Sequence, residues 1–263
     1  MSDATPKSFL RPGKIILLIL LAVLVYLFAL ITLVPAGWLW QKAAPHVPLP
    51  RQVLVQQVSG TLWDGAAGVM VAGFPVRVGW QFGWPSITAL SLPLDVTVAS
   101  SQSSLDGNVT VGWPLSAEIN ATGKVAVAEF EDLIRRSGGA MIEGDVTIDR
   151  LHLAWADQKV TRAEGSGRWA GGPVSWPMGN QTGQASFPPM QAVLDTTSGG
   201  VELTVMEQGG DGPAADANVL WNGMMEVRVY KRMVDLAGQP WSGSAKPSDI
   251  VFRVRQPLLP GGR

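Results

Sequence analysis

Histidines, thiols and glycine-flanked serines are where side-chain chemistry usually starts, and this chain offers few of them. Its 263 residues include two histidines and no cysteine. Without cysteine there are no disulfides, thiolate zinc sites, iron–sulfur clusters or thiol nucleophiles. His46 and His152 stand far apart, and neither has a partner at metal-ligand spacing, so no metal is expected. His152 lies in LHLAW, where Leu151, Leu153 and Trp155 alternate onto one strand face and turn His152 to the solvent side. Ser166 in AEGSG sits between two glycines, but it lacks the strand–turn–helix context and the histidine that a nucleophilic serine needs. Paired carboxylates near tryptophan could serve a glycosidase, yet the placeable Asp and Glu fall in turns, on a short helix or on polar strand faces and do not converge. Phosphate-binding loops, dinucleotide fingerprints and HExxH are absent. Asn108, Asn120 and Asn180 open Asn-x-Thr triplets, at a frequency chance supplies in a threonine-rich β chain. The residues predict a protein that is not an enzyme and has no cofactor.

Charge and hydropathy divide the chain. Residues 1–50 carry four basic and one acidic side chain, whereas 51–263 carry sixteen basic and twenty acidic. With no Lys/Arg cluster to neutralise phosphates, nucleic acid is excluded as a partner. Ile15 to Val34 is twenty residues without a charge, which as a helix covers about 30 Å, the depth of a bilayer core. The run is longer than a signal-peptide core and leads into Pro35, Gly37, Trp38 and Trp40 rather than a small-x-small cleavage site, so it predicts a transmembrane anchor. Lys7, Arg11 and Lys14 precede it and set the N-terminus in the cytoplasm. The predicted organisation is a cytoplasmic tail over 1–14, a transmembrane helix over 15–34, a tether over 35–50 with the proline-stiffened AAPHVPLP, and a β-rich outer domain over 51–263.

Alternation dominates the outer domain. Val76, Val78, Trp80 and Phe82 share one face, as do Leu92, Leu94, Val96 and Val98; similar runs occur at 109–113, 201–205, 225–229 and 250–254. Strands with one wet face belong to antiparallel sheets. Helices to cover the apolar face are missing, so the expected fold is all-β: a curled, mainly antiparallel sheet closing on itself as a roll, sandwich or open barrel. One short helix is expected over 128–137, with Phe130, Leu133 and Ile134 on one side, Glu131–Arg135 and Asp132–Arg136 pairs, and a stop at Gly138. VSGTLWDG at 58–65 resembles GSGRWAGG at 165–172, and LDGNVTV at 105–111 resembles IEGDVTI at 142–148, each read as a turn feeding a strand. These similarities, which also align Gly107 with Gly200, suggest two duplicated β-meander halves, 51–127 and 142–256. On that reading Gly60, Trp63, Gly65, Gly167, Trp169 and Gly171 are structural corners, the glycines supplying turns and the tryptophans closing the core.

The anchor, VSGTLWDGAA, VRVGWQFGWPSITALSLPLDV, GSGRWAGGPVSWPMG with FPPMQAVL, and YKRMVDLAGQPW together resemble the type II secretion system protein N family over nearly the whole chain. The resemblance implies an accessory inner-membrane component of the machinery that moves folded exoproteins across the outer membrane, with 35–263 in the periplasm and no catalytic residues to carry over. Its implied partners are other inner-membrane secretion components and the secretin, with the membrane engaged through Ile15 to Val34. EQGGDGPAADAN at 207–218 departs from the family pattern and reads as a polar loop. Strand edges offer unpaired backbone groups to partners, and Arg253 and Arg255 in IVFRVRQ mark the candidate interaction edge. The alternative is an AsmA-like lipid-bridging module, separated from the first reading by whether the concave face is open and apolar or filled by the protein's own tryptophans.

Overall fold

The computed structural model describes residues 12–47, 53–71, 73–86, 88, 90–136, 140–157, 159–178 and 181–257. Helix α1 (Pro12–Thr32) covers most of the predicted span with one continuous backbone. Its unbroken run of described side chains, Ile16 to Tyr26, is exposed, and among the described residues no helix is long and apolar enough to cross a membrane. The stretch read as a tether begins instead with helix α2 (Ala36–Ala43) and a 3₁₀ turn (Ala44–His46). Pro35 starts α2, as its fixed φ allows. Residues 1–11 and 48–52 lie outside the described residues.

The remaining chain is strands. In order they are β1 (Val53–Gly60), β2 (Asp64–Val71), β3 (Phe74–Phe82), β4 (Ser91–Ala99), β5 (Ser104–Gly112), β6 (Ser116–Ala126), β7 (Met141–Ile142) and β8 (Asp145–Ala156). There follow β9 (Lys159–Trp169), β10 (Gly172–Met178), β11 (Gln181–Phe187), β12 (Met190–Thr197), β13 (Gly200–Glu207), β14 (Pro213–Leu220), β15 (Met224–Tyr230) and β16 (Ile250–Pro257). Between β6 and β7 come a 3₁₀ turn (Val127–Phe130) and α3 (Glu131–Arg136); α4 (Lys231–Leu236) follows β15. The expected 128–137 helix is thus half 3₁₀ and half α, with its Glu131–Arg135 ion pair formed; Ser137 and Gly138 lie outside the described residues.

Thirteen strands form one open antiparallel sheet, β1-β2-β3-β4-β5-β6-β8-β9-β12-β13-β14-β15-β16, and β11-β10-β7 form a second, small one. Opposite residues in an antiparallel ladder point to the same face, so the register traces each face across the sheet. One row runs Phe82–Leu94–Val109–Ile119–Leu153–Ala163, continued beyond β9 by rows such as Leu194–Leu203–Ala217–Val227–Val254. The adjacent rows, Gln81–Asp95–Asn108–Asn120–His152–Glu164 and Asp195–Glu202–Asn218–Glu226–Arg255, are polar. From β3 to β16 the sheet therefore carries one apolar and one polar face, which is what the alternation in the sequence demands, while at β1 and β2 Leu54 and Met70 interrupt the polar side.

Glycines set the curvature. On the apolar side, a Cβ at Gly123 would lie 2.3 Å from the Ser104 carbonyl oxygen, and one at Gly165 2.9 Å from that of Arg150. Neighbouring backbone this near the Cβ position means the strands bend toward the apolar face there, and only glycine fits. Along β9 the apolar side carries only Ala163, Gly165 and Gly167 between Val160 and Trp169; Leu151 and Leu194 close over Gly165 from the two sides. The same steric reason corrects the reading of LDGNVTV: Gly107 is not a turn but lies inside β5, where its Cβ would sit 3.2 Å from the Asn120 carbonyl oxygen. Gly200, aligned with it in sequence, opens β13 instead. PAADAN is likewise no loop. It forms most of β14, with Ala215 and Ala217 on the apolar face and Asp216 and Asn218 on the other. Alanine's weak hydrophobicity hides that alternation.

Packing is concentrated at one end of the sheet. Trp169, Val174, Met190 and Ala214 form the buried cluster, with Ile142, Val146, Trp176, Phe187, Val205, Met233 and Leu236 against it. The small sheet and α4 thus cap the apolar face there. On the same end Phe130 reaches Phe74, ring centroids 5.8 Å apart. Elsewhere the face is only half-buried. The chain exposes 18376 Å², where a compact monomer of 28.0 kDa would expose about 11,000 Å².

Candidate functional site

The polar face holds the titratable groups, and they form structural pairs. Asn108 Nδ2 donates to Asp95 Oδ1 at 2.8 Å, and His152 Nδ1 lies 2.7 Å from Asn120 Oδ1 and 3.6 Å from Glu118 Oε1. His152 is thus a cross-strand partner of an asparagine on the polar face. Ser166 sits inside β9 opposite Arg150 and Val193, not on a strand–turn–helix elbow. Among the described residues no group of three His, Cys, Asp or Glu could hold a metal ion.

Two polar clusters were not singled out by sequence reasoning. Asp216, only 3 % exposed, accepts from Arg228 Nε at 2.6 Å and from the Tyr230 hydroxyl at 2.5 Å, while Glu202 accepts from Arg228 Nη2 at 2.8 Å and from Asn218 Nδ2 at 3.0 Å. Burial, then donation to Asp216, pushes the Tyr230 phenol up to about 12. The i, i+2 pattern of Asp216/Asn218 and Arg228/Tyr230 was the available signal, masked for β14 by the loop reading. At the β4–β5 turn, Glu129 accepts from the hydroxyls of Ser100, Ser101 and Ser103, each at 2.5 Å, and from the Gln102 N–H at 2.8 Å. Partial burial pushes this carboxyl up, but the four donors outweigh it and hold the pKa at about 2.

The two tryptophan motifs take different places. Gly60, with φ +85°, and Gly65 bracket the β1–β2 turn, where Trp63 packs edge-on against Phe82 at 5.7 Å. Trp80 Nε1 donates to the Leu62 carbonyl at 3.1 Å. Gly167 lies within β9 and Gly171, at φ +84°, turns the chain toward β10. Trp169 between them is in the buried cluster and donates Nε1 to the Glu143 carbonyl at 2.7 Å. The motifs are not brought together: β3, β4, β5, β6 and β8 separate β2 from β9. Arg253 and Arg255 lie on the polar face of β16, one of the two edge strands of the large sheet, the other being β1; Arg253 Nε is 3.4 Å from Glu226 Oε1, and both arginines are exposed.

The end of the sheet opposite the caps is different. Its turns span 61–63, 83–90, 113–115, 157–158, 198–199 and 221–223, and they contain a single charged residue, Asp157. The connections at the capped end contain twelve. Trp84 and Trp113 stand 89 % and 77 % exposed on the uncharged turns, Leu90 and Leu115 are exposed on the same two turns, and Trp221 is exposed on the β14–β15 turn farther along the sheet. Trp80 of β3 and Trp155 of β8 lie on the apolar face itself, toward the uncapped end, while the tryptophans of the turns rim that end and Trp169 and Trp176 pack at the other.

A protein-family model, type II secretion system (T2SS) protein N, matches residues 51–247. The chain belongs to the type II secretion system protein N family. The match runs from just before β1 to just before β16, so the whole apolar face except its last strand lies within the family's shared region. Membership makes the chain an accessory component of type II secretion. No curated protein and no solved structure matches it.

Proposed function

We propose that this family member is a non-catalytic inner-membrane component of the type II secretion system that contributes protein–protein contacts from the periplasmic side. Helix α1 is the anchor: Ile15 to Val34 carries no charge, and basic residues precede it. The sheet projects into the periplasm. The observation that carries the contact role is the open edge at β16, which has a neighbour, β15, on one side only. An edge strand presents a row of backbone donors and acceptors that another chain can extend, and its exposed arginines add charge selection.

Co-purification from native membranes tests this. The full-length chain carrying Arg253→Glu and Arg255→Glu should capture other secretion components several-fold less than the parent and should impair exoprotein release. Unchanged capture and secretion would remove the β16 edge as the contact surface.

A further inference from the structure

The apolar face raises a question that protein contacts at β16 do not answer. Across β1 to β6 and β8 it is half-buried, lined by side chains such as Val96, Val109 and Ile119, and among the described residues it lacks the cover that the small sheet and α4 supply near Trp169. Every interior strand has both neighbours, so the face offers hydrocarbon and no free backbone groups. An extended peptide lying on it would leave its own N–H and C=O groups unpaired in apolar surroundings; an acyl chain has none to leave.

The uncapped end shows where such a chain would enter. Its turns are almost uncharged and project exposed tryptophan and leucine, the composition of a surface that sits at a membrane–water boundary. The exit of α1 is fixed to this same end. The Val34 carbonyl accepts from the Leu62 N–H at 3.2 Å, and Pro35 bridges Thr61, both in the β1–β2 turn. Trp38 of α2 is exposed alongside. If the anchor enters a bilayer at Val34, the tryptophan-bearing turns meet that bilayer's surface, and the apolar face opens on it.

We propose that the apolar face is a binding site for the acyl chains of membrane lipid, entered from the leaflet through the end rimmed by Trp84, Trp113, Leu115 and Trp221. The proposal rests on α1 as the anchor but is independent of the β16 contacts. The close backbone approach at Gly123, Gly165 and Gly167 bends the sheet toward this face, and the small sheet with α4 and the Phe130–Phe74 contact closes its far end.

The test places a photoreactive p-benzoylphenylalanine at Ile119, on the apolar face, and separately at Asn120, on the polar face, in the full-length chain in native membranes. After irradiation, mass spectrometry of the purified protein should show phospholipid adducts at Ile119 and at least tenfold fewer at Asn120. Adding Trp113→Glu with Leu115→Glu should cut the Ile119 adduct several-fold while thermal unfolding and capture of secretion components stay unchanged; Trp84→Glu serves if the pair does not fold. No lipid adduct at Ile119, a protein adduct there instead, or an adduct indifferent to the charged rim overturns the proposal. Carbonate extraction of the same membranes tests the anchor separately. A chain released by carbonate refutes the α1 reading, and adduct formation at Ile119 with phosphatidylethanolamine–phosphatidylglycerol vesicles then decides the site by itself.

Discussion

Glu129 offers the sharpest test of how the capped end is held. Its carboxylate gathers four donors from the β4–β5 turn and so ties the chain just before α3 to strands it does not pair with. The folded pKa of about 2 lies below the ordinary value of 4.5. A depressed carboxyl stabilises the fold fully above its unfolded pKa, and that contribution disappears as pH falls through the folded one, here between about pH 5 and 2. At face value the shift is worth about 3 kcal/mol, but solvent screening of a half-exposed group reduces this to about 1 kcal/mol. Glu129→Gln in the full-length detergent-solubilised chain should therefore lose about 1 kcal/mol in urea titrations at pH 7, and less than half that at pH 3. A loss equal at both pH values would show that the carboxylate's charge is irrelevant and that only its shape matters. No loss at either would refute the clamp.

Other expectations follow from packing and burial. Trp169→Ala removes the centre of the buried cluster and its bond to Glu143, and should cost about 3–5 kcal/mol, whereas Trp63→Ala, half-exposed at the β1–β2 turn, should cost clearly less by thermal unfolding. Gly123→Ala should destabilise by about 2 kcal/mol because its Cβ meets backbone; Gly68→Ala, with nothing within 4 Å, should be neutral within about 0.5 kcal/mol in the same assay. Asp216→Asn should lower the Tyr230 titration from about 12 in ultraviolet absorbance. The raised phenol pKa stabilises the parent fold below pH 10, an effect lost as pH rises through 12, so the variant should be less stable at neutral pH and its stability should fall less steeply between pH 10 and 12.

Strands β3, β4, β13, β15 and β16 were legible because valine, leucine and aromatic residues alternate with polar ones without interruption. β14 was not, because its apolar face is alanine and its first residue proline. The crease along β9 escaped for a related reason: a stripe of Ala163, Gly165 and Gly167 reads locally as flexibility, and its meaning depends on side chains from β8 and β12. The edge position of Arg253 and Arg255 could be anticipated from their place in the last strand. The uncharged tryptophan end could not. It is assembled from six turns spread over about 160 residues, and only a strand order that alternates direction brings Trp63, Trp84, Trp113 and Trp221 to one side.

Strand order has a further consequence for how the protein is made. Every neighbour pair in the large sheet is also a neighbour pair in the chain, apart from the short excursions that hold β7 and the β10–β11 hairpin. Each strand's first partner is therefore the one synthesised just before it, and no early strand must wait for a late one to close the sheet. Local pairing of this kind favours rapid folding. Hairpins β1 to β6 can zip in sequence while the rest of the chain is still emerging, so the sheet can grow from the anchored end outward, one strand at a time.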